Sequence, residues 1–142
     1  MFSVQQVFAK DWIGRFSEDA YLASFGSIRP AELERFDFSI IAIDEGNNIS
    51  GFITCKEMDS ETLYWQNGGA FKNYGKTIHV VGGYRSFLRW AKERYKRVTT
   101  RIENTNYPML KLALSVGFLI IGTCVVNNKI YLELINEFTE VI

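Results

Sequence analysis

Residues 60–102 constrain this chain more than any other stretch, because they read as strand, long helix, strand. The run ETLYWQN at 61–67 is rich in β-formers. From about Lys76 to Tyr95, Ile78, Val81, Tyr84, Leu88, Ala91 and Tyr95 recur at spacings of three and four, the apolar face of a helix. RVTTRI at 97–102 then alternates apolar and polar, as a half-buried strand does. A helix between two strands of one sheet is a right-handed crossover, and it makes the strands parallel. Strands 60–67 and 97–102 are therefore expected side by side, with the helix lying on one face.

Antiparallel hairpins flank this unit. FSIIAID and ISGFITCKE surround the polar turn EGNN, and FLIIGTCVV and KIYLELI surround Asn127-Asn128. Asparagine tolerates positive φ, so the second turn is expected to be tight. The strand at 60–67 is expected to stop at Gly68-Gly69. Between 102 and 118 lies a short helix, Tyr107 to Val116, with Asn106 able to cap it and Gly117 at the position that ends helices. Gly82 and Gly83 interrupt the long helix. Each costs up to about 1 kcal/mol of helix propensity, so another element is expected to pack closely there. Residues 3–26 carry spaced apolar residues that suggest one or two short helices, and a short strand is expected at Phe2–Gln6. Pro30 can open another helix, Pro30 to Arg35.

The fold class is thus mixed α/β (α+β), one domain over 1–142. The sheet is mostly antiparallel around a central parallel pair, with flanking helices. At 47% hydrophobic residues the chain has material for a real core. Lys plus Arg equals Asp plus Glu, 16 of each, so no global positive field draws it to nucleic acid. No apolar run approaches the roughly 20 residues of a membrane helix, and the N-terminus does not read as a secretory signal. A cytoplasmic protein is expected. One histidine and two cysteines cannot make a zinc site of the usual spacing, and no metal is expected. Cys55 and Cys124 both lie in strand-like runs and read as reduced, buried thiols, with a disulfide or a catalytic thiol as the alternatives.

Ligands of open α/β sheets bind beyond the carboxyl ends of strands where connections diverge. Here that point follows Trp65-Gln66-Asn67, at the loop Lys72-Asn73-Tyr74-Gly75-Lys76-Thr77. The loop feeds a helix N-terminus, whose free N–H groups favour anions, and Gly75 permits close backbone approach. An ordinary strand-to-helix connection is the plainer alternative.

A second stretch, NTNYPMLKLALSVGF at 104–118, bears on the choice. Together with KNYGKT at 72–77, it resembles the GNAT acyltransferases. That family has a cofactor loop (Arg/Gln)-x-x-Gly-x-(Gly/Ala), then an asparagine, a short helix and Gly-Phe. Lys72 and Thr77 depart from the loop pattern, whereas Asn106 and Gly117-Phe118 match the spacing. The likeness covers residues 38–136. It implies a splayed parallel pair that holds acetyl-CoA or another acyl-CoA. Lys72, Asn73, Tyr74, Gly75, Lys76 and Thr77 would hold the pyrophosphate, and Trp65, Gln66 and Asn67 would line the pantetheine arm. Asn106 would contact that arm or the strand gap. A backbone N–H near Gln66 or Asn67 would stabilise the oxyanion formed as an amine attacks.

Acylating an amine also needs a proton acceptor. Glu61 is the candidate, since some family members place a glutamate at similar spacing. Its alternative is an exposed hairpin residue, and Glu57 is the runner-up. The family's acid, a tyrosine four residues before the glycine of Gly-Phe, is Ala113 here. Tyr107, Tyr74 or Tyr131 could stand in, Tyr107 being the foremost. The expected activity is transfer of an acyl group from acyl-CoA to a small-molecule or peptide amine, with homodimerisation left open. The competing expectation is a catalytically degenerate GNAT-like binding or structural module. Short GNAT-like proteins of bacteriophages look similar at 104–118, and some of those are virion components. The basic stretch Arg85, Arg89, Lys92, Arg94, Lys96, Arg97 and Arg101 reads as a solvated helix face, with contact of part of it to the CoA 3′-phosphate or an acidic partner as the alternative.

Overall fold

A computed structural model describes residues 3–8, 37–43, 45–46, 49–70 and 77–138 of the chain. The strands are β1 (Ser3–Val7), β2 (Phe38–Ile43), β3 (Ile49–Glu57), β4 (Thr62–Ala70), β5 (Arg97–Glu103), β6 (Leu119–Val126) and β7 (Lys129–Glu137). The described helices are α1 (Thr77–Lys92) and α2 (Tyr107–Ser115). The helices expected within 9–36 and the loop at 72–76 lie outside the described residues.

The strands form a seven-stranded sheet in the order β1-β2-β3-β4-β5-β7-β6. Only β4 and β5 are parallel among its neighbours. The crossover through α1 requires this, because its helix returns the chain to the same end of the sheet. The expected mixed sheet with a central parallel pair is what is found.

Alternation along the strands puts Leu63 and Trp65 of β4, Val98 and Ile102 of β5 and Leu134 of β7 into one core. Phe87, Leu88, Trp90 and Ala91 of α1, Ala113 of α2 and Phe118 join them. Every residue of β2 is buried, Ser39 and Ile41 as fully as Ile40 and Ala42. The sheet is therefore covered on both faces at β2. Over β5 and β7 the face away from the core cluster carries Arg97, Arg101, Glu133 and Glu137 instead. The sheet passes from two-sided burial to a half-open polar face across β4.

Three local features decide the turns. Asn127 and Asn128 have φ of 50° and 64°, and Val126 pairs with Lys129, so the β6–β7 turn is the tight one expected. Gly117 has φ of 104°, the left-handed conformation that ends α2. At the β3–β4 turn, the Asp59 carboxylate accepts the Glu61 N–H at 2.8 Å, a bond that holds its pKa below the ordinary value.

Two expectations need correction. β4 does not stop at Gly68-Gly69 but runs on to Ala70, because Gly68 and Gly69 stay paired with Ile53 and Phe52 of β3. A Cβ on Gly68 would sit 3.4 Å from the Phe52 carbonyl oxygen, at the edge of ordinary contact. Close packing is not found at the glycines of α1: among the described residues a Cβ at Gly82 or Gly83 would meet nothing within 4 Å. The cysteines are free, Cys55 buried and Cys124 half-buried on β6. Burial pushes the Cys55 thiol pKa up, which keeps it protonated and inert.

Since space is open at Gly83 and the helix is regular, Gly83→Ala should raise stability by about 0.5–1 kcal/mol. Denaturant unfolding checks this. A loss of stability would mean that this part of α1 is more crowded than described.

Candidate functional site

The β4–β5 ladder has four pairs: Thr62 with Arg97, Leu63 with Val98, Tyr64 with Thr99 and Trp65 with Thr100. There it ends, although both strands continue. β4 goes on with β3, pairing Asn67 with Thr54 and Ala70 with Gly51. β5 goes on with β7, pairing Arg101 with Glu133 and Glu103 with Tyr131. The two parallel neighbours stop pairing after Trp65 and Thr100, and the seam between them opens there into a slot.

The local cause is a β-bulge. Cys55 pairs with Trp65 and Thr54 with Asn67, so Gln66 is an extra residue on β4. A bulge bends its strand and increases the local twist, and this one lies one residue past the last β4–β5 pair. The Thr100 hydroxyl donates to the Trp65 carbonyl at 2.8 Å and fastens the apex. The other end of the seam is closed by the Lys96 and Arg97 N–H groups, which donate to the Glu61 carbonyl at 2.8 and 3.1 Å. There the Arg97 guanidinium also donates to Thr62 Oγ1 at 3.0 Å.

On the core side of the apex, the Trp65 ring meets Tyr84 of α1 edge-on at 5.7 Å and Phe118 at 5.9 Å. The Tyr84 hydroxyl donates to the Met109 thioether of α2 at 3.8 Å. Burial pushes its pKa well above the ordinary tyrosine value. Ala113, one turn further along α2, is fully buried. On the other face, Arg101 and Glu133 form an ion pair at 3.3 Å. Tyr64 stands near them. Burial raises its pKa, the Arg101 charge opposes the rise, and Cys124, Glu133 and Tyr131 add to it.

The structure brings some of the expected residues to the slot and leaves others apart. Trp65, Gln66 and Asn67 occupy the β4 edge at the apex. Thr77 begins α1. Lys72, Asn73, Tyr74, Gly75 and Lys76 lie outside the described residues. Asn106 caps α2, its Oδ1 accepting the Met109 N–H at 3.4 Å. Tyr107 is in the first turn of α2 and largely exposed. Glu61 lies at the closed end of the seam, with Lys96 at 3.2 Å and Arg97 at 3.7 Å. At about 3.3 Å per residue, it is roughly 13 Å along the strand from the apex. Glu57 accepts the Tyr95 hydroxyl at 2.8 Å and belongs to that same end, opposite Leu63.

Much of the basic stretch is engaged rather than simply solvated. Arg94 lies 4.4 Å over the Trp90 ring, and Arg97 and Arg101 pair with Glu137 and Glu133. Sequence reasoning took Tyr84 for core and did not link Arg101 to Glu133. A tyrosine on an otherwise apolar helix face, whose hydroxyl needs a partner, was the available signal.

No protein-family model matches the sequence, and no curated protein matches it. Solved structures do match its fold. A GNAT-family acetyltransferase from Bacillus cereus superposes with a TM-score of 0.76, covering 99% of each chain at 14% identity. The fold is that of the GNAT acyltransferases. A GNAT-family acetyltransferase from Elizabethkingia anophelis, solved with acetyl-CoA bound, has a TM-score of 0.69 at 16% identity, covering 96% of this chain and 98% of its own. An IAA acetyltransferase from Bacillus cereus has a TM-score of 0.70 at 15% identity, covering 97% of this chain and all of its own. At these identities the GNAT likeness is one of backbone architecture.

If the Thr100 side chain fastens the apex, Thr100→Val should cost about 0.5–1.5 kcal/mol by denaturant unfolding. It should also speed amide exchange at residues 65–67 more than in β7. Uniform exchange with unchanged stability would show that the bond carries nothing.

Proposed function

We propose that this chain is an acyl-CoA-dependent N-acyltransferase. The observation that carries the proposal is the early end of the β4–β5 ladder at Trp65 and Thr100, with the Gln66 bulge beside it. An opened parallel seam exposes strand edges, and an amide-bearing arm such as pantetheine can add to such an edge as a strand does. β4 residues 66–70 supply that edge. The acyl-CoA complex of the Elizabethkingia anophelis protein supports an acyl-CoA as co-substrate. The loop Lys72–Thr77 and the start of α1 would take the pyrophosphate. Asn106 would meet the arm from the start of α2.

In the reaction, a neutral amine attacks the thioester carbonyl carbon. A backbone N–H near Gln66 or Asn67 would hold the resulting oxyanion, a contribution of roughly 2.7–4 kcal/mol where such donors have been removed. The intermediate then collapses, the C–S bond breaks and CoA leaves as a thiolate. The acceptor would come from the half-open polar face, where Tyr64, Arg101 and Glu133 stand beside the slot. Glu61 as base would need a chain of water to the apex, because its carboxylate is held at the closed end by Lys96 and Arg97. Tyr107, exposed at the start of α2, is the expected acid.

A degenerate binding module is the second reading. Ala113, fully buried, favours it by offering no hydroxyl where the family resemblance leads one to expect a tyrosine.

Acetyl-CoA at 100 times its Kd should stabilise the folded chain by about 2.7 kcal/mol, seen as a rise in melting temperature. No shift with acetyl-CoA or CoA would sink the acyltransferase proposal. Binding without transfer to any amine in a broad panel would favour the module. Glu61→Gln should change stability by less than about 1 kcal/mol, since the pairs it loses are exposed. A fall in turnover of about 100-fold would mark Glu61 as the base, and unchanged turnover would assign it to the seam alone.

A further inference from the structure

Resting on the acyl-CoA reading of the slot, we propose that Trp65 Nε1 and Tyr84 Oη are paired hydrogen-bond donors to the sulfur of the acyl carrier, which makes both side chains catalytic residues. The Trp65 indole N–H is sealed from solvent and has no hydrogen-bond partner among the described residues, on a side chain only 3% exposed. A buried donor left unpaired is costly, and native proteins rarely keep one without a use. The Tyr84 hydroxyl is almost as poorly placed. Its acceptor is a thioether, a weak one, at 3.8 Å.

The two donors belong to touching rings, and Trp65 is the last β4 residue paired with β5. Two under-used donors thus sit on neighbouring rings beside the apex where the slot begins. Such a site suits a soft acceptor that arrives through the slot. The Met109 thioether, on an unbranched and flexible side chain, holds the place of such a sulfur. A ligand sulfur would take over the same donor.

The chemistry needs no added reagent. As the C–S bond breaks, its electron pair stays on sulfur. The amine proton passes to water or to a base, and the thiolate draws its own proton from water on release. Hydrogen bonds from Tyr84 and Trp65 stabilise the charge meanwhile. Burial is the cause of the Tyr84 pKa rise, with no charged neighbour contributing, so the hydroxyl remains a donor throughout the alkaline range of the test.

The test uses CoA and acetyl-CoA as probes and needs no acceptor. Calorimetry follows both affinities from pH 7 to 9.5, across the thiol's ordinary pKa of about 8.5, for the full wild-type chain, Tyr84→Phe and Trp65→Phe. Wild type should favour CoA over acetyl-CoA about tenfold more at the alkaline end, the worth of a hydrogen bond to a charged group. Tyr84→Phe should cut that gain to about threefold or less, while the melting temperature of the unliganded chain holds, since the hydroxyl it removes has only a weak partner there. Trp65→Phe keeps an aromatic ring and should also lower the gain. If wild type binds neither probe, the acyl-CoA reading and this assignment fall together. If it binds both and the alkaline gain is absent, or is the same in both variants, the assignment alone is overturned.

Discussion

The structure depends on where the hydrogen bonds between β4 and β5 stop. A parallel pair inside a sheet normally runs the length of its shorter strand, because each unmade backbone bond is a loss. Here four pairs form and the remaining residues of both strands turn to other neighbours. The Gln66 bulge makes this tolerable. It changes the direction of β4 while leaving β4 paired with β3, so one side of the strand remains satisfied and the other is offered to a ligand.

The surroundings reinforce that divergence. At the closed end, Glu61 ties β4 to the turn before β5 by backbone and side-chain contacts. At the apex, Thr100 fastens Trp65, and Trp65, Tyr84 and Phe118 fill the core side. The sheet is thus firm on both sides of a local opening. A site of this kind needs rigidity, because catalytic hydrogen-bond donors act only when held in place before the reaction. The change from two-sided burial at β2 to an ion-paired face at β5 and β7 gives the slot one sealed side and one accessible side.

The fold was legible in the sequence where periodicity is strong. The 3.6-residue repeat of α1 between two β-rich runs dictated the crossover, and Asn127-Asn128 dictated the last hairpin. β4 was read too short because Gly68-Gly69 looks like a stop. Nothing local shows that Ile53 and Phe52 on β3 hold those glycines in the ladder. The bulge was illegible for the same reason, since it is a mismatch of register between two strands. Gly82 and Gly83 were assigned a packing role that open space beside them does not support. At the site, Trp65, Gln66 and Asn67 could be named from their position at the end of a strand. Glu61 was named from spacing alone, and spacing along a strand does not tell which end of it opens. Tyr84 fitted the apolar repeat of α1, and only three-dimensional contacts show how little its hydroxyl is satisfied.

The central claim is that an acyl-CoA arm occupies the gap between β4 and β5. Amide hydrogen exchange with and without acetyl-CoA measures it directly, residue by residue. The account predicts slowing by about tenfold or more, centred on residues 66–70 and 101–103, with β1 and β2 unchanged. Protection confined to other strands, with 66–70 exchanging as fast as before, would contradict it.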